Sequence, residues 1–408
     1  MSAQLAALRV LLAAILPGNR FYARKLEGVS GITSLEDFRR RVPFTTKQEL
    51  VDDQAAHPPF GKNHTFPLSW YTRYCQTSGT SGQPMRWLDT PESWEWMLEN
   101  WDRVYSAAGV TAADNVFFAF SFGPFLGFWT AFEAAARMGC LAIPGGGMRT
   151  AARLRTLLDA GATVLCGTPT YVIHLGEAAP AEGIDLSRSG IRRIIVAGEP
   201  GGSVPGTRAH IEKLWPGAKV ADHHGMTEIG PVSYECPARP CVLHVMEDRY
   251  IAEVIDPATD EPAGSGELVL TNLGRTAAPL IRYRTGDLVR PALRGRCACG
   301  TDDLALEGGI LGRADDMVVV RGVNVYPTAI EDVLRGCGVA EYRVEVRVER
   351  ALTELSLEVE PGPEDGPDLE HRIQAALYNA LALRIPVVVV PGGTLPRFEM
   401  KARRWLRR

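Results

Sequence analysis

Across residues 1–311, short apolar runs alternate with stretches of helical periodicity and with Gly/Pro-rich turns. The runs NVFFAF (115–120), ATVLCG (162–167), RRIIVAG (192–198) and GELVLTN (266–272) predict strands, being short, β-branched or aromatic, and bounded by turn residues. Segments around 92–108, 128–138 and 151–159 predict helices. This alternation implies an α/β architecture with largely buried sheets. From about residue 312 the texture changes. DMVVVRG reads as a strand, YPTAIEDVLRG as a helix, YRVEVRVERALTELSLEVE as a hairpin, LEHRIQAALYNALAL as a helix and PVVVVP as a last strand. A small α+β unit of residues 312–408 therefore follows a larger unit of residues 1–311, the junction falling at G-R-A-D-D. At the other end, Leu5, Leu8, Leu12, Ile15 and Leu16 share one helical face, which predicts an amphipathic first helix. Arg9 interrupts that run, no cleavage site follows it, and it is too short to span a bilayer, so a cytoplasmic protein is expected.

Composition changes this picture little. A chain of 408 residues is too long for one compact core, and 46% hydrophobic with 23% charged residues is ordinary for a soluble globular protein. The net charge of −4 gives no electrostatic reason for nucleic acid or an anionic membrane as partner. The basic end KARRWLRR reads as a solvated last helix with one functional lysine. Eight cysteines in a cytosolic chain argue for free thiols or metal ligands over a disulfide framework.

The chemistry begins in RYCQTSGTSGQPMRWLDT. Thr77, Ser78, Gly79, Thr80, Ser81 and Gly82 form a loop with four hydroxyls and two glycines, whose backbone N–H groups can cradle phosphate oxygens. It lacks the lysine of a Walker A loop, and a plain linker has the same composition. Downstream lie DHHGMTEIG (222–230), YRTGDL (283–288), GRADDMVVVRGVNVYP (312–327) and LPRFEMK (395–401). Glu228 offers a hard oxygen ligand for Mg²⁺ and Thr227 a hydroxyl beside a phosphate. Asp287 can accept both hydroxyls of a ribose, Arg313 offers a rigid donor fork, and Lys401 a mobile point charge.

In order and wording these segments resemble the adenylate-forming superfamily of acyl-CoA synthetases, luciferases and adenylation domains, and within it the phenylacetate–CoA ligase group. SLEDFRRRVPFTTKQEL, TPTY (168–171), GEP (198–200), the acid in YEC and GVNVYP are similar to that group, and the likeness extends over nearly the whole chain. The resemblance implies a large multi-subdomain N-terminal domain and a small mobile α+β C-terminal domain. It implies ATP-dependent activation of a carboxylic acid as an acyl-adenylate, then transfer to the thiol of CoA. A carrier-protein thiol, an amine or another small nucleophile is the alternative acceptor, and an adenylate-binding protein without turnover a further alternative. On this reading residues 77–82 hold the β- and γ-phosphates, and Glu228 helps hold Mg²⁺. Thr227 touches the α-phosphate, Asp287 and Arg313 grip the ribose, and Lys401 bridges carboxylate and α-phosphate. Gly198, Glu199, Pro200, Asp222, His223, His224 and Gly225 complete the ATP site, with His224 replacing the aromatic that stacks on adenine. Gln83 stands where many relatives carry lysine. Asp315 takes the hinge position.

Phe122, Phe125, Tyr171, Ala197 and Gly198 are the acyl-pocket candidates, and an aromatic acid is expected. Cys236, His244, Cys297 and Cys299 suit a structural tetrahedral Zn²⁺, with Cys241 a rival ligand. A homodimer is compatible with the resemblance.

Overall fold

The computed structural model describes residues 3–77, 84–321, 323–349, 352–362, 368–398 and 402–407. At its centre lies a five-stranded parallel sheet in the order Leu141–Pro144, Asn115–Phe118, Val164–Gly167, Arg193–Val196 and Lys219–Asp222. The middle strands are buried along their length, as expected of runs covered by helices on both faces. The chain leaves strand Asn115–Phe118 toward one edge and returns on its other side as Val164–Gly167. The strand order therefore reverses there, and ligands of open α/β sheets bind at the carboxyl ends of such strands.

The helix predicted around 92–108 runs Pro91–Ala107. Thr90 caps it by accepting the Ser93 N–H, and Pro91 needs no donor at the first turn. Its apolar face buries Trp94, Met97, Trp101 and Tyr105 in the largest core. Leu126–Arg137 and Thr150–Asp159 are the other two predicted helices. A four-stranded sheet of Tyr250–Ile255, Gly266–Asn272, Tyr283–Val289 and Gly312–Arg313 packs on the same core. Gly312 and Arg313 pair with Leu288 and Asp287, so the larger unit's last strand is built from the first two residues of the predicted smaller unit. A three-stranded sheet joins Ser233–Glu235, Val242–Val245 and Ala305–Glu307.

The small unit has its own core, formed by a four-stranded sheet and the helices Pro327–Gly336 and Leu369–Leu381. The sheet order is Val387–Val389, Leu352–Pro361, Val339–Glu349 and Trp405–Arg407. The expected last helix is corrected here: Trp405–Arg407 is a strand, parallel to Val344–Val346. A short basic segment carries no helical propensity strong enough to outweigh an open sheet edge, and Arg404 is buried against Glu341 instead of solvated. The first helix, Ala3–Ile15, is present with Leu5, Leu8 and Ile15 buried as expected, Leu11 fully buried beside them, and Leu12 and Leu16 only partly buried. It packs with Ile251 and Ile281, far along the chain. Among the described residues no helix is long and apolar enough to cross a membrane.

Candidate active site

The carboxyl ends of the central strands converge the motifs. After Val164–Gly167, Thr168 caps helix Pro169–Ala178 by accepting the Tyr171 N–H, and Tyr171 is almost fully buried beneath the Arg153 guanidinium, 4.7 Å from its ring centre. After Arg193–Val196 come the half-buried Ala197 and the exposed Gly198 and Pro200. Gly198 has φ +94°, a left-handed conformation that a side chain would strain. The Glu199 carboxylate is committed within the protein: one oxygen accepts the Thr170 N–H at 2.8 Å and the other the Ala402 N–H at 3.1 Å.

After Lys219–Asp222 the three consecutive polar residues divide. Asp222 turns inward, accepting the Ser203 hydroxyl at 2.5 Å and the His223 N–H at 3.0 Å, and burial pushes its carboxyl upward. His223 packs 4.4 Å from the Trp101 ring and donates Nδ1–H to the Ser233 carbonyl at 2.6 Å. Its burial lowers the imidazole to about 4 and keeps it neutral. His224, expected over adenine, lies with Nε2 2.9 Å from an Asp287 oxygen. Its buried Nδ1 has no partner among the described residues. The other Asp287 oxygen accepts from Arg313 Nη1 at 3.2 Å, the two residues being direct cross-strand neighbours. Arg313 also donates Nε–H to Asp315 at 2.9 Å. His224, Asp287, Arg313 and Asp315 thus form one continuous set of contacts, assembled from three separate stretches of sequence.

Gly225–Met226 and Gly230–Pro231 pair as a small hairpin that presents Thr227 and Glu228 at its turn. The turn is propped from behind by a residue pair that sequence reading missed. Arg275 donates to the Thr227 and Glu228 carbonyls at 2.8 and 2.9 Å, and its remaining nitrogens grip Asp89 at 2.8 and 2.6 Å. Both side chains are fully buried. Asp89 ends the strand Arg86–Asp89, so one ion pair links the hairpin of Arg73–Gln76 and Arg86–Asp89 to the Thr227–Glu228 turn. A separation of 186 residues leaves no local signal of it.

Thr77 pairs with Met85, its hydroxyl accepting the Met85 N–H at 3.0 Å and its own N–H meeting the Met85 carbonyl at 3.0 Å. Ser78, Gly79, Thr80, Ser81, Gly82 and Gln83, and likewise Lys401, lie outside the described residues. The predicted acyl-pocket aromatics cluster. Phe122 meets Trp129 and Phe132 edge-on at 5.1 and 5.3 Å, and Phe125 meets Phe128 at 5.9 Å. Phe122 has φ +50°, an unusual conformation for a bulky residue, and remains half-buried.

At the outer sheet, the ligand atoms of Cys236, His244, Cys297 and Cys299 all lie within 4.8 Å of one another. Cys236 and Cys297 sulfurs are 3.6 Å apart, and Cys299 Sγ is 3.5 Å from His244 Nε2. A tetrahedral zinc with Zn–S near 2.3 Å needs ligand atoms about 3.7 Å apart, so the set fits. His244 Nδ1 donates to the Asp303 carbonyl at 3.2 Å, which leaves Nε2 bare toward the cluster. The Cys299 N–H lowers the Cys297 thiol to about 6, supplying a thiolate. Cys241 is not a member of the cluster.

Comparison with known proteins follows the same outline. Residues 322–407 match the AMP-binding enzyme C-terminal domain. The chain is 32% identical to the phenylacetate-coenzyme A ligase of Thermus thermophilus, over 93% of this chain and 89% of that one. It superposes on 2-hydroxyisobutyryl-CoA ligase in the postadenylation state with 2-HIB-AMP at a TM-score of 0.93, with 31% identity, covering 99% and 89%. On that ligase in its thioesterification state with 2-HIB-AMP and CoA, the TM-score is 0.74, with 32% identity and coverage of 99% and 89%. The small unit therefore sits on the large one as in the first of those states.

A mixed α/β large unit, a small C-terminal unit and these convergent motifs define an adenylate-forming enzyme. Within that class, the chain belongs to the phenylacetate–CoA ligase family of AMP-forming acid–thiol ligases.

Proposed function

We propose that the chain activates a small aromatic carboxylic acid with ATP and transfers the acyl group to CoA. In the first step a carboxylate oxygen bonds to the α-phosphorus and the bond to the β-phosphate breaks, releasing pyrophosphate. In the second the CoA thiolate attacks the acyl carbon and AMP leaves with the electron pair. The observation that carries this reading is the contact set His224–Asp287–Arg313, beside the Thr227–Glu228 turn at the carboxyl ends of the central strands.

In this reading Asp287 and Arg313 receive the ribose, and His224 is held by Asp287 at the edge of the adenine site. Gly198, Pro200 and Gly225 supply backbone surface for the base. Residues 77–82 hold phosphates and Lys401 reaches the carboxylate and α-phosphate. Glu228 is buried, yet its carboxylate accepts no hydrogen bond from any described residue, which fits a ligand for Mg²⁺. When bound, that ion neutralises phosphate charge. Asp315, where the sheet of the large unit gives way to the small one, is the hinge. Zn²⁺ at Cys236, His244, Cys297 and Cys299 ties the loop after Ser233–Glu235 to the loop before Ala305–Glu307.

The aromatic character of the acid rests on the Phe120–Phe132 cluster beside the reversal of strand order, an apolar lining suited to a planar ring. Exchange of radiolabelled pyrophosphate into ATP, run with phenylacetate, benzoate and 2-hydroxyisobutyrate, tests the reading. Acid-dependent exchange is expected, strongest with an aryl acid. A better rate with 2-hydroxyisobutyrate overturns the aromatic assignment, and no acid-dependent exchange overturns the activity.

A further inference from the structure

Glu199 stands in a motif read as part of the nucleotide site, yet each of its oxygens already accepts a backbone N–H of the protein. One holds the Thr170 N–H, at the start of helix Pro169–Ala178 in the large unit. The other holds the N–H of Ala402, which belongs to the small unit and follows Lys401 directly in sequence. The carboxylate makes no ion pair with any described cation, so its charge is spent on these two backbone donors, the stronger kind of hydrogen bond.

The neighbouring contacts support the same seam. Arg404, buried, donates Nη1–H to the Thr170 hydroxyl at 3.4 Å while its other nitrogens grip Glu341 at 2.5 and 3.1 Å. The Gly206 N–H reaches across to Asp332 at 2.8 Å. Thr170 therefore meets the chain after Lys401 twice, once through Glu199 and once through Arg404. Only the Glu199 contact is adjacent to the lysine.

We infer that Glu199 is a positioning residue for the adenylation step: its carboxylate clasps the Ala402 N–H to the large unit and so seats the lysine-bearing segment at the active site. The inference rests on the acid-activation reading above. The clasp exists only while the small unit lies as it does here. A small unit that turns away takes the Ala402 N–H with it and leaves Glu199 with Thr170 alone. Glu199 thus acts on one half-reaction and not the other.

The test separates the two halves in the full chain. Glu199→Gln keeps the shape and one acceptor oxygen but removes the second acceptor and the charge, and Glu199→Ala removes both acceptors. Phenylacetate-dependent pyrophosphate exchange is measured for the first half. Thioester formation from supplied phenylacetyl-adenylate and CoA is measured for the second. Loss of a charge-assisted contact predicts an exchange rate down about tenfold or more in Glu199→Gln and further in Glu199→Ala. The KM for ATP should stay within about twofold, thioester formation should remain near that of the unaltered chain, and the thermal midpoint of Glu199→Gln should change little, because its remaining oxygen can still accept the Thr170 N–H. Exchange that survives in Glu199→Ala, a rise confined to the KM for ATP, or equal loss of both halves overturns the clasp. An unaltered chain that shows no exchange with phenylacetate or 2-hydroxyisobutyrate overturns the acid-activation reading itself, and the clasp with it.

Discussion

His224 and Asp287 meet at 2.9 Å although one follows the last strand of the parallel sheet, the other lies within the four-stranded sheet, and 63 residues separate them. The contact holds the imidazole at the carboxyl end of the parallel sheet and leaves the second carboxylate oxygen to Arg313 at 3.2 Å. One carboxylate oxygen thus faces the imidazole and the other the guanidinium, which orients the group proposed to receive the ribose.

Asp287→Asn should raise the KM for ATP about tenfold or more, since hydrogen bonds to a charged acceptor contribute about 1.5–3 kcal/mol. Steady-state exchange with ATP varied at saturating acid checks this. An effect confined to the KM for the acid would contradict the ribose assignment.

Arg275 and Asp89 form a fully buried bidentate pair behind the Thr227–Glu228 turn. Arg275→Met leaves Asp89 charged and unpaired and should cost about 3–5 kcal/mol in urea unfolding. Adding Asp89→Leu should recover part of that loss, because the uncompensated charge disappears with it. Activity should not return with stability, as the two carbonyls of the turn still lack their donor.

Metal analysis of purified protein should find about one zinc per chain, held by Cys236, His244, Cys297 and Cys299. Cys297→Ser should lose the metal and lower the thermal midpoint by about 2 °C or more, the equivalent of ~2 kcal/mol for a chain of this size. The exchange rate at low temperature should change little, because the cluster ties loops together and touches no substrate.

His223 titrates at about 4 in the folded state, against an ordinary value of about 6.5 for an unfolded histidine. Between those values the unfolded chain binds a proton that the folded chain refuses. The contribution is therefore full above pH 6.5 and falls as pH drops toward 4, by up to ~3 kcal/mol. Asp222 and Glu235, whose carboxyls are pushed upward by burial, act in the opposite direction over the lower part of this range. The difference between the unaltered chain and His223→Asn isolates the histidine, since the amide can still donate to the Ser233 carbonyl. The pH dependence of unfolding should be flatter in the variant, and equal slopes would refute the assignment.

The sequence by itself determined what local interactions and chemical identity determine. The strands at 164–167, 193–196 and 266–272 were legible because runs of β-branched residues between turn signals have few other structures open to them. The helix Pro91–Ala107 was legible through its period and its Thr90 cap. Motif wording carried the family, and residue type singled out Cys236, His244, Cys297 and Cys299, which the fold gathers. Tertiary structure decided everything that depends on distant partners. It made Trp405–Arg407 a strand, because Val339–Glu349 offered it an edge. It buried Leu11 more fully than Leu12 on the first helix, in a core that includes the distant Ile251 and Ile281. It turned His224 to Asp287, buried Arg275 on Asp89, and closed Glu199 on Thr170 and Ala402. Local pattern specifies elements, whereas a buried charge is satisfied only by a partner that folding brings to it.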